Sequence, residues 1–231
     1  SGEQGFGGAL YIEGTVEMAS CQIYGNTAIK GGGVILEGTD TTMVNCTLTR
    51  NEAENGGAIY VKKTDDGIAS NVIIADGTIG GTGANDANKA TSGGGIWVGE
   101  GCTLTMNNDA KVIGNHSNFS GGGVYAEGAT VKITNCTFKG NSVSNSGGAI
   151  YAVKKDSTVS DVTIEGGTIG GTGADANKAT GSNGMGGAIY VGSGCTLTMQ
   201  NNAEVIGNTS AKSGGAICAL GATVNITNST L

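Results

Sequence analysis

The chain has no proline, one histidine (His116), one arginine (Arg50) and only 4% aromatic residues. It has no long run of apolar residues at helical spacing, so nothing in it argues for helices. It has no stretch of 18 apolar residues, so nothing in it reads as a membrane-spanning helix. Positive charge is scarce as well: 12 Lys and Arg against 19 Asp and Glu give a net charge of −7. A nucleic-acid binder needs a basic stripe to meet phosphates; none is visible, and nucleic acid is not expected as a partner. No signal peptide is visible and the pattern begins and stops in mid-unit, which reads as a segment of a longer protein. What the chain has in excess is glycine, 45 of 231 residues. No Gly-X-Y period accompanies them, so the composition is not that of collagen.

The glycines mark a repeat. Gly56-Gly57-Ala58-Ile59-Tyr60-Val61 has near-copies beginning at Gly7, Gly31, Gly93, Gly121, Gly147, Gly186 and Gly214, at steps of 24 to 39 residues. A recurrence of this size means one supersecondary unit repeated and stacked. Before each of the last seven Gly-Gly pairs stands an asparagine: Asn26, Asn51, Asn88, Asn115, Asn141, Asn177 and Asn208. Two residues after it comes a small residue or Val, as in Ala53, Ala90, Ser117 and Val143.

The unit from Gly121 shows the whole pattern. Val124 and Tyr125 lie in a first short strand, Val131 and Ile133 alternate with polar residues in a second, and Cys136 and Phe138 in a third. Side chains alternate in and out with period two. These features predict an all-β fold: a single-stranded right-handed parallel β-helix of about eight coils, each of three short strands, forming one domain over residues 1–231. The glycines serve a tight turn of positive φ and close backbone approach. The asparagines, tolerant of the left-handed region, are expected to bond to one another from coil to coil.

A larger repeat rides on the small one. Gly-Thr-Ile-Gly-Gly-Thr-Gly-Ala occurs at 77–84 and 167–174, and Gly-Cys-Thr-Leu-Thr-Met at 101–106 and 194–199, so three coils make a super-repeat. Two coils, 56–92 and 147–185, are long. One insertion follows their first strand and carries Lys62, Lys63, Asp65 and Asp66 in one copy and Lys154, Lys155 and Asp156 in the other. Another precedes the asparagine and carries Thr82, Asn85 and Asp86, or Thr172 and Asp175; the second copy adds Asn183 and Met185. Loops on a regular scaffold are where function concentrates. With rungs about 4.8 Å apart, the two sets lie three rungs, roughly 14 Å, from each other. These are the candidate partner-binding loops.

Six cysteines (Cys21, Cys46, Cys102, Cys136, Cys195, Cys218) form no Cys-x-x-Cys pair, so structural zinc is not indicated. Inward positions and parallel Cβ vectors predict buried free thiols. His116 reads as a solvated turn residue, and Arg50 as a coil-corner residue. No local motif proposes paired catalytic carboxylates, and no catalytic residue, cofactor or metal is called. Asp65-Asp66, Asp86/Asn88 and Asp175/Asn177 are weak calcium candidates. Outward threonines of the second strand (Thr103, Thr105, Thr130, Thr134, Thr196, Thr198, Thr223, Thr227) raise an ice-binding array, but Glu17, Ile73, Lys132 and Asn225 interrupt it.

The Gly-Gly-Ala-[Ile/Leu/Val] element, paired with Ile23-Tyr24-Gly25-Asn26 before Gly31, Val112-Ile113-Gly114-Asn115 before Gly121 and Phe138-Lys139-Gly140-Asn141 before Gly147, resembles the repeats of chlamydial polymorphic outer-membrane proteins. The resemblance implies a β-helical passenger or stalk on a bacterial cell surface, often adhesive. The expected function is therefore a non-enzymatic extracellular segment serving as adhesin or spacer. Its expected partner is a glycan or protein of a host or neighbouring cell, and its open strand edges allow end-to-end self-association. The alternatives are a carbohydrate-binding or carbohydrate-cleaving β-helix with its site on the long-coil loops, and an ice-binding solenoid.

Overall fold

A computed structural model of the protein describes residues 5–83 and 85–231, so Ala84, one residue of the first inserted loop, lies outside it. The chain winds as a parallel β-helix. Every pairing between named strands is parallel and joins one coil to the next, as Ile59↔Ile96 and Ile96↔Val124 show. The first and second strands of the coils build two eight-stranded sheets, and the third strands a seven-stranded sheet. The three expected strands per coil are thus present, and a fourth joins them. Glu52–Asn55, Lys89–Ser92, His116–Ser120, Ser142–Val143, Lys178–Ala179 and Thr209–Ser210 form a six-stranded sheet directly after the asparagines. Its inward row is Ala53, Ala90, Ser117, Val143 and Ala179, all buried. His116 therefore opens a strand, where a turn was expected. Among the described residues the only helix is a single 3₁₀ turn, Gly173–Asp175.

The core is a set of columns, one residue per coil. Ile23, Leu48, Ile79, Val112, Phe138, Ile169 and Val205 stack through the third sheet in register. Val34, Ile59, Ile96, Val124, Ile150 and Ile189 do the same in the first, each fully buried. β-Branched side chains fit this half-buried pleated surface. At each fourth corner the Gly-Gly pair permits the close passage of coils. Gly56 has φ +65°, and a Cβ on Gly57 would lie 2.2 Å from the carbonyl oxygen of Gly94.

The seven asparagines form a continuous ladder. Each Nδ2 donates to the Oδ1 of the asparagine in the next coil at 2.9–3.1 Å, from Asn26 through to Asn208. From Asn51 onward, Nδ2 also donates to a third-strand carbonyl of the preceding coil, such as Leu48 O from Asn88 at 2.8 Å. The five central members are fully buried. Burial is tolerable because nearly all their hydrogen-bonding capacity is met. The ladder residues do not use the left-handed region. That role falls on the residue before them (Gly25, Arg50, Gly114, Gly140, Gly207) and on a separate row at the second corner that includes Asn45, Asn108, Asn135, Asn201 and Asn228.

All six cysteines are free; five are buried and Cys21 is half-buried. Burial pushes the thiols of Cys46, Cys102, Cys136, Cys195 and Cys218 up, Cys136 to about 11. Such thiols stay protonated and unreactive.

Candidate functional site

The inserted loops emerge at two corners. At the first corner, between the first and second sheets, each loop is anchored at its base by a buried serine. Ser70 Oγ donates to Lys62 O (2.6 Å) and accepts from Thr39 N–H (3.2 Å). Ser160 Oγ donates to Val153 O (2.7 Å) and accepts from Ala129 N–H (3.0 Å). Each serine thus ties its loop to the coil before it.

Beyond this base, the loops meet through a residue of neither. Glu100 stands at the first corner of the coil that follows the first loop. Its Oε2 pairs with Lys63 Nζ at 2.6 Å, and its Oε1 accepts from Thr158 Oγ1 at 2.7 Å. One carboxylate thereby holds a loop from each long coil. The bonds from Lys63, then Thr158, hold the Glu100 carboxyl below the usual glutamate range. Two further pairs run along the edge, Lys62–Glu37 at 2.6 Å and Lys155–Glu127 at 3.6 Å. Lys62 also lies 4.0 Å from Asp65. Asp65, Asp66, Lys154 and Asp156 are exposed, and Thr64 Oγ1 bonds to Asp66. Each loop also exposes an aliphatic side chain: Ile68 is 56% and Val159 40% exposed.

Beside this edge, on the outer face of the first sheet, lies a row of stacked rings: Tyr60, Trp97, Tyr125, Tyr151 and Tyr190. Successive centroids are 4.3, 6.3, 5.0 and 4.8 Å apart, with interplanar angles from 7° to 32°. The signal for this row was in the sequence, as the fifth residue of most Gly-Gly motifs. Lys30 Nζ caps the stack, 5.4 Å from the Tyr60 centroid and 5.6 Å from that of Phe6, a cation–π arrangement. The rim of the Trp97 ring abuts Gly99, where a Cβ would lie 2.6 Å from Cζ3. Burial, then the Glu127 charge, raises the Tyr60 hydroxyl to about 12 and that of Tyr125 further. Lys30, Lys62, Lys63, Lys155, Glu100, Glu127, Tyr60, Trp97 and Gly99 enclose an open groove of about 310 Å³.

At the third corner, the loops 80–87 and 170–176 each straddle the neighbouring coils. Asp86 O accepts from Arg50 N–H at 3.3 Å, and Asp175 O from Gly140 N–H at 2.9 Å. On the other side, Gly81 O and Gly171 O press on Gly114 and Gly207, where a Cβ would lie 2.3 and 2.2 Å away. This explains why those two positions are glycine while Arg50 is tolerated. Asp86 Oδ2 accepts from Gly83 N–H at 3.0 Å, and Asp175 pairs with Lys139 at 3.3 Å. Thr82, Asn85 and Thr172 are exposed. A shallow groove of about 240 Å³ runs between the loops over Gly114 and Gly140. Asn183 is exposed at a turn, whereas Met185 bridges Ser146 and Ser213 at the fourth corner. The structure thus joins the first-corner candidates into one surface and leaves Asn183 and Met185 apart from it.

The fourth sheet carries a feature the motifs did not mark. Glu52, Glu54, Lys89, Thr91, His116 and Asn118 line an open groove of about 330 Å³. His116 Nδ1 is 2.9 Å from Ser142 Oγ, and Nε2 is 3.3 Å from Asn118 Oδ1. Arg50 stacks over Tyr24 at 5.0 Å, a surface cation–π contact. Among the described residues, no group of three or more His, Cys, Asp or Glu side chains is placed to hold a metal ion. The outward threonines of the second sheet sit in register with Glu17, Ile73, Lys132 and Asn225 among them.

Three segments, 45–62, 135–153 and 197–220, match the Chlamydia polymorphic membrane protein repeat. The likeness is to the repeat unit, within those three segments. Each matched segment includes a third-sheet strand, its ladder asparagine, the fourth strand and the Gly-Gly corner, so the repeat follows the elements that build the coil. The chain has no match among curated proteins or among solved structures.

Proposed function

We propose that this chain is a non-enzymatic extracellular β-helix segment of a large bacterial surface protein, acting as adhesin or spacer, and that the first-corner edge of its two long coils makes the contact. The observation that carries the proposal is the Glu100 bridge. A surface already held in shape loses less freedom on binding, and here one carboxylate sets Lys63 and Thr158 against each other. The exposed Ile68 and Val159 supply apolar contact points on either side. The repeat and the β-helical architecture support placement on a cell surface, and the partner is a glycan or protein of an opposing cell. Binding to a host-protein and glycan array tests this. Ile68→Ser with Val159→Ser is expected to abolish capture, while deletion of 80–87 and 170–176 leaves it intact. Capture that survives the first change, or falls only with the second, refutes the edge as contact surface.

One observation favours a carbohydrate-cleaving reading. Glu52 and Glu54 are alternate residues of one strand, so their side chains leave one face from Cα atoms roughly 7 Å apart. Carboxyl groups at that spacing match an inverting glycosidase pair, and His116 and Lys89 share their groove. Release of reducing ends from acidic or neutral polysaccharides, lost in Glu52→Gln, would establish it; no release by the unaltered chain rejects it.

A further inference from the structure

The aromatic row is stacked in a way that decides what it can bind. Ring faces are the electron-rich surfaces that sugars and cations cover, and ring edges carry the positive end of the quadrupole. With Tyr60 and Trp97 nearly parallel at 7° and 4.3 Å apart, the faces are turned toward each other. The one free face of Tyr60 is taken by Lys30. The groove beside the row therefore meets ring edges, not faces.

Ammonium groups outnumber carboxylates around it. The groove is lined by four ammonium groups, Lys30, Lys62, Lys63 and Lys155, and two carboxylates, Glu100 and Glu127. Glu37 neutralises Lys62 from beneath, and Glu100 and Glu127 take Lys63 and Lys155. Lys30 pairs with no carboxylate among the described residues, and its N–H donors stay open. This locally positive strip sits on a chain of net charge −7, so it is a departure from the rest of the surface and not an average of it. Acceptors in the groove are already committed to lysines, whereas donors and positive ring edges are in surplus.

We infer that the groove between Lys30, Trp97 and Lys155 binds an acidic glycan, a chain bearing sulfate or carboxylate groups whose oxygens meet Lys30 and whose ring lies along the edge of Trp97. A sugar chain fits better than an acidic peptide, because consecutive rungs repeat at about 4.8 Å, close to the length of a pyranose unit. The groove shares Lys62, Lys63, Lys155 and Glu100 with the first-corner edge, so the inference rests on that reading and names its partner class; Ile68 and Val159 are not among its lining residues, so their substitution tests the edge separately from the groove.

The test is titration of the folded chain with a heparin-derived octasaccharide, a neutral maltooligosaccharide and an oligoglutamate peptide, at low and physiological salt. Saturable binding of the sulfated sugar is expected, at least tenfold weaker in Lys30→Gln and in Trp97→Ala, and unchanged in Lys111→Gln, which removes the same charge from the third sheet. An unaltered circular dichroism melt in Lys30→Gln shows that the fold is kept. Absence of binding to the unaltered chain, equal binding of the peptide or the neutral sugar, or equal weakening by Lys111→Gln each overturns the assignment.

Discussion

The two long coils are copies of one design, and they differ from the base outward. At the base they agree: Ser70 and Ser160 make corresponding bonds to corresponding backbone groups, and Asn88 and Asn177 occupy equivalent places, three rungs apart, in one ladder. Toward the tip they diverge. The first loop is an open turn in which Thr64 N–H donates to Ile68 O and Gly67 N–H to Thr64 O. The second is a tight hairpin in which Lys155 and Thr158 exchange both backbone bonds, with Asp156 at φ +50°. Lys63 in one loop reaches the same Glu100 that Thr158 reaches from the other. The difference teaches which parts are scaffold. A position that must satisfy buried backbone groups is repeated, because its geometry is dictated by the coil. A position facing solvent is free to change, provided it still meets its partner across the gap.

The largest test of this equivalence is in the ladder. Asn88→Ala and Asn177→Ala each leave two or three buried donors and acceptors without partners, at about 1–3 kcal/mol per group. Each is expected to cost about 3–5 kcal/mol in chemical denaturation, with the two values within about 1 kcal/mol of each other. Asn208→Ala, at the partly exposed end of the ladder, should cost less because water replaces the lost bonds. A large disparity between the two central variants would show that the coils are not equivalent in the core.

The bases come next. Ser70→Ala and Ser160→Ala strip a buried acceptor from Thr39 N–H and Ala129 N–H, with an expected cost of about 1–3 kcal/mol each. Their signature is local. Hydrogen exchange should quicken at residues 62–71 in the first variant and 153–161 in the second, with the remote long coil unchanged. Exchange that rises across both coils in either variant would place the coupling in the scaffold and not in the tips.

What was legible in the sequence follows the same division. The Gly-Gly corners, the ladder, the inward columns and the long coils each recur at fixed places in the coil, so spacing alone revealed them. The fourth strand was hidden because it has as few as two residues and one inward side chain per coil. Ala53, Ala90, Ser117 and Val143 were its trace, visible as small residues but not yet as a row. The aromatic row needed only a comparison of the fifth motif position, and sits one residue beyond the part of the motif that the glycines draw attention to. Glu100 had no sequence signal at all. Its partners lie 37 residues before it and 58 after it, and only stacking of coils of unequal length brings them together. Loop residues are chosen against one another across rungs, and one-dimensional spacing does not record that.

The smallest effect expected is on the Glu100 bridge, and it is the one that separates a shared clamp from two independent loops. Glu100→Gln removes the charge facing Lys63 and weakens the acceptor facing Thr158. An exposed pair adds little to global stability, so the denaturation midpoint should hardly move. Loop exchange should respond instead, at 63–69 and 155–159 together. The pH dependence has a definite sign. The folded pKa of Glu100 is lowered from the ordinary value of 4.5, so the favourable contribution is present above that value and is lost as pH falls through the lower folded pKa. Corrected for intrinsic exchange rates, both loops should hold constant protection from pH 7 to about 5 and lose it together in the acid range below the ordinary value. The Gln variant should show the loosened state throughout. Loosening of the first loop alone would mean that Thr158 is held by its own hairpin, and that Glu100 serves only Lys63.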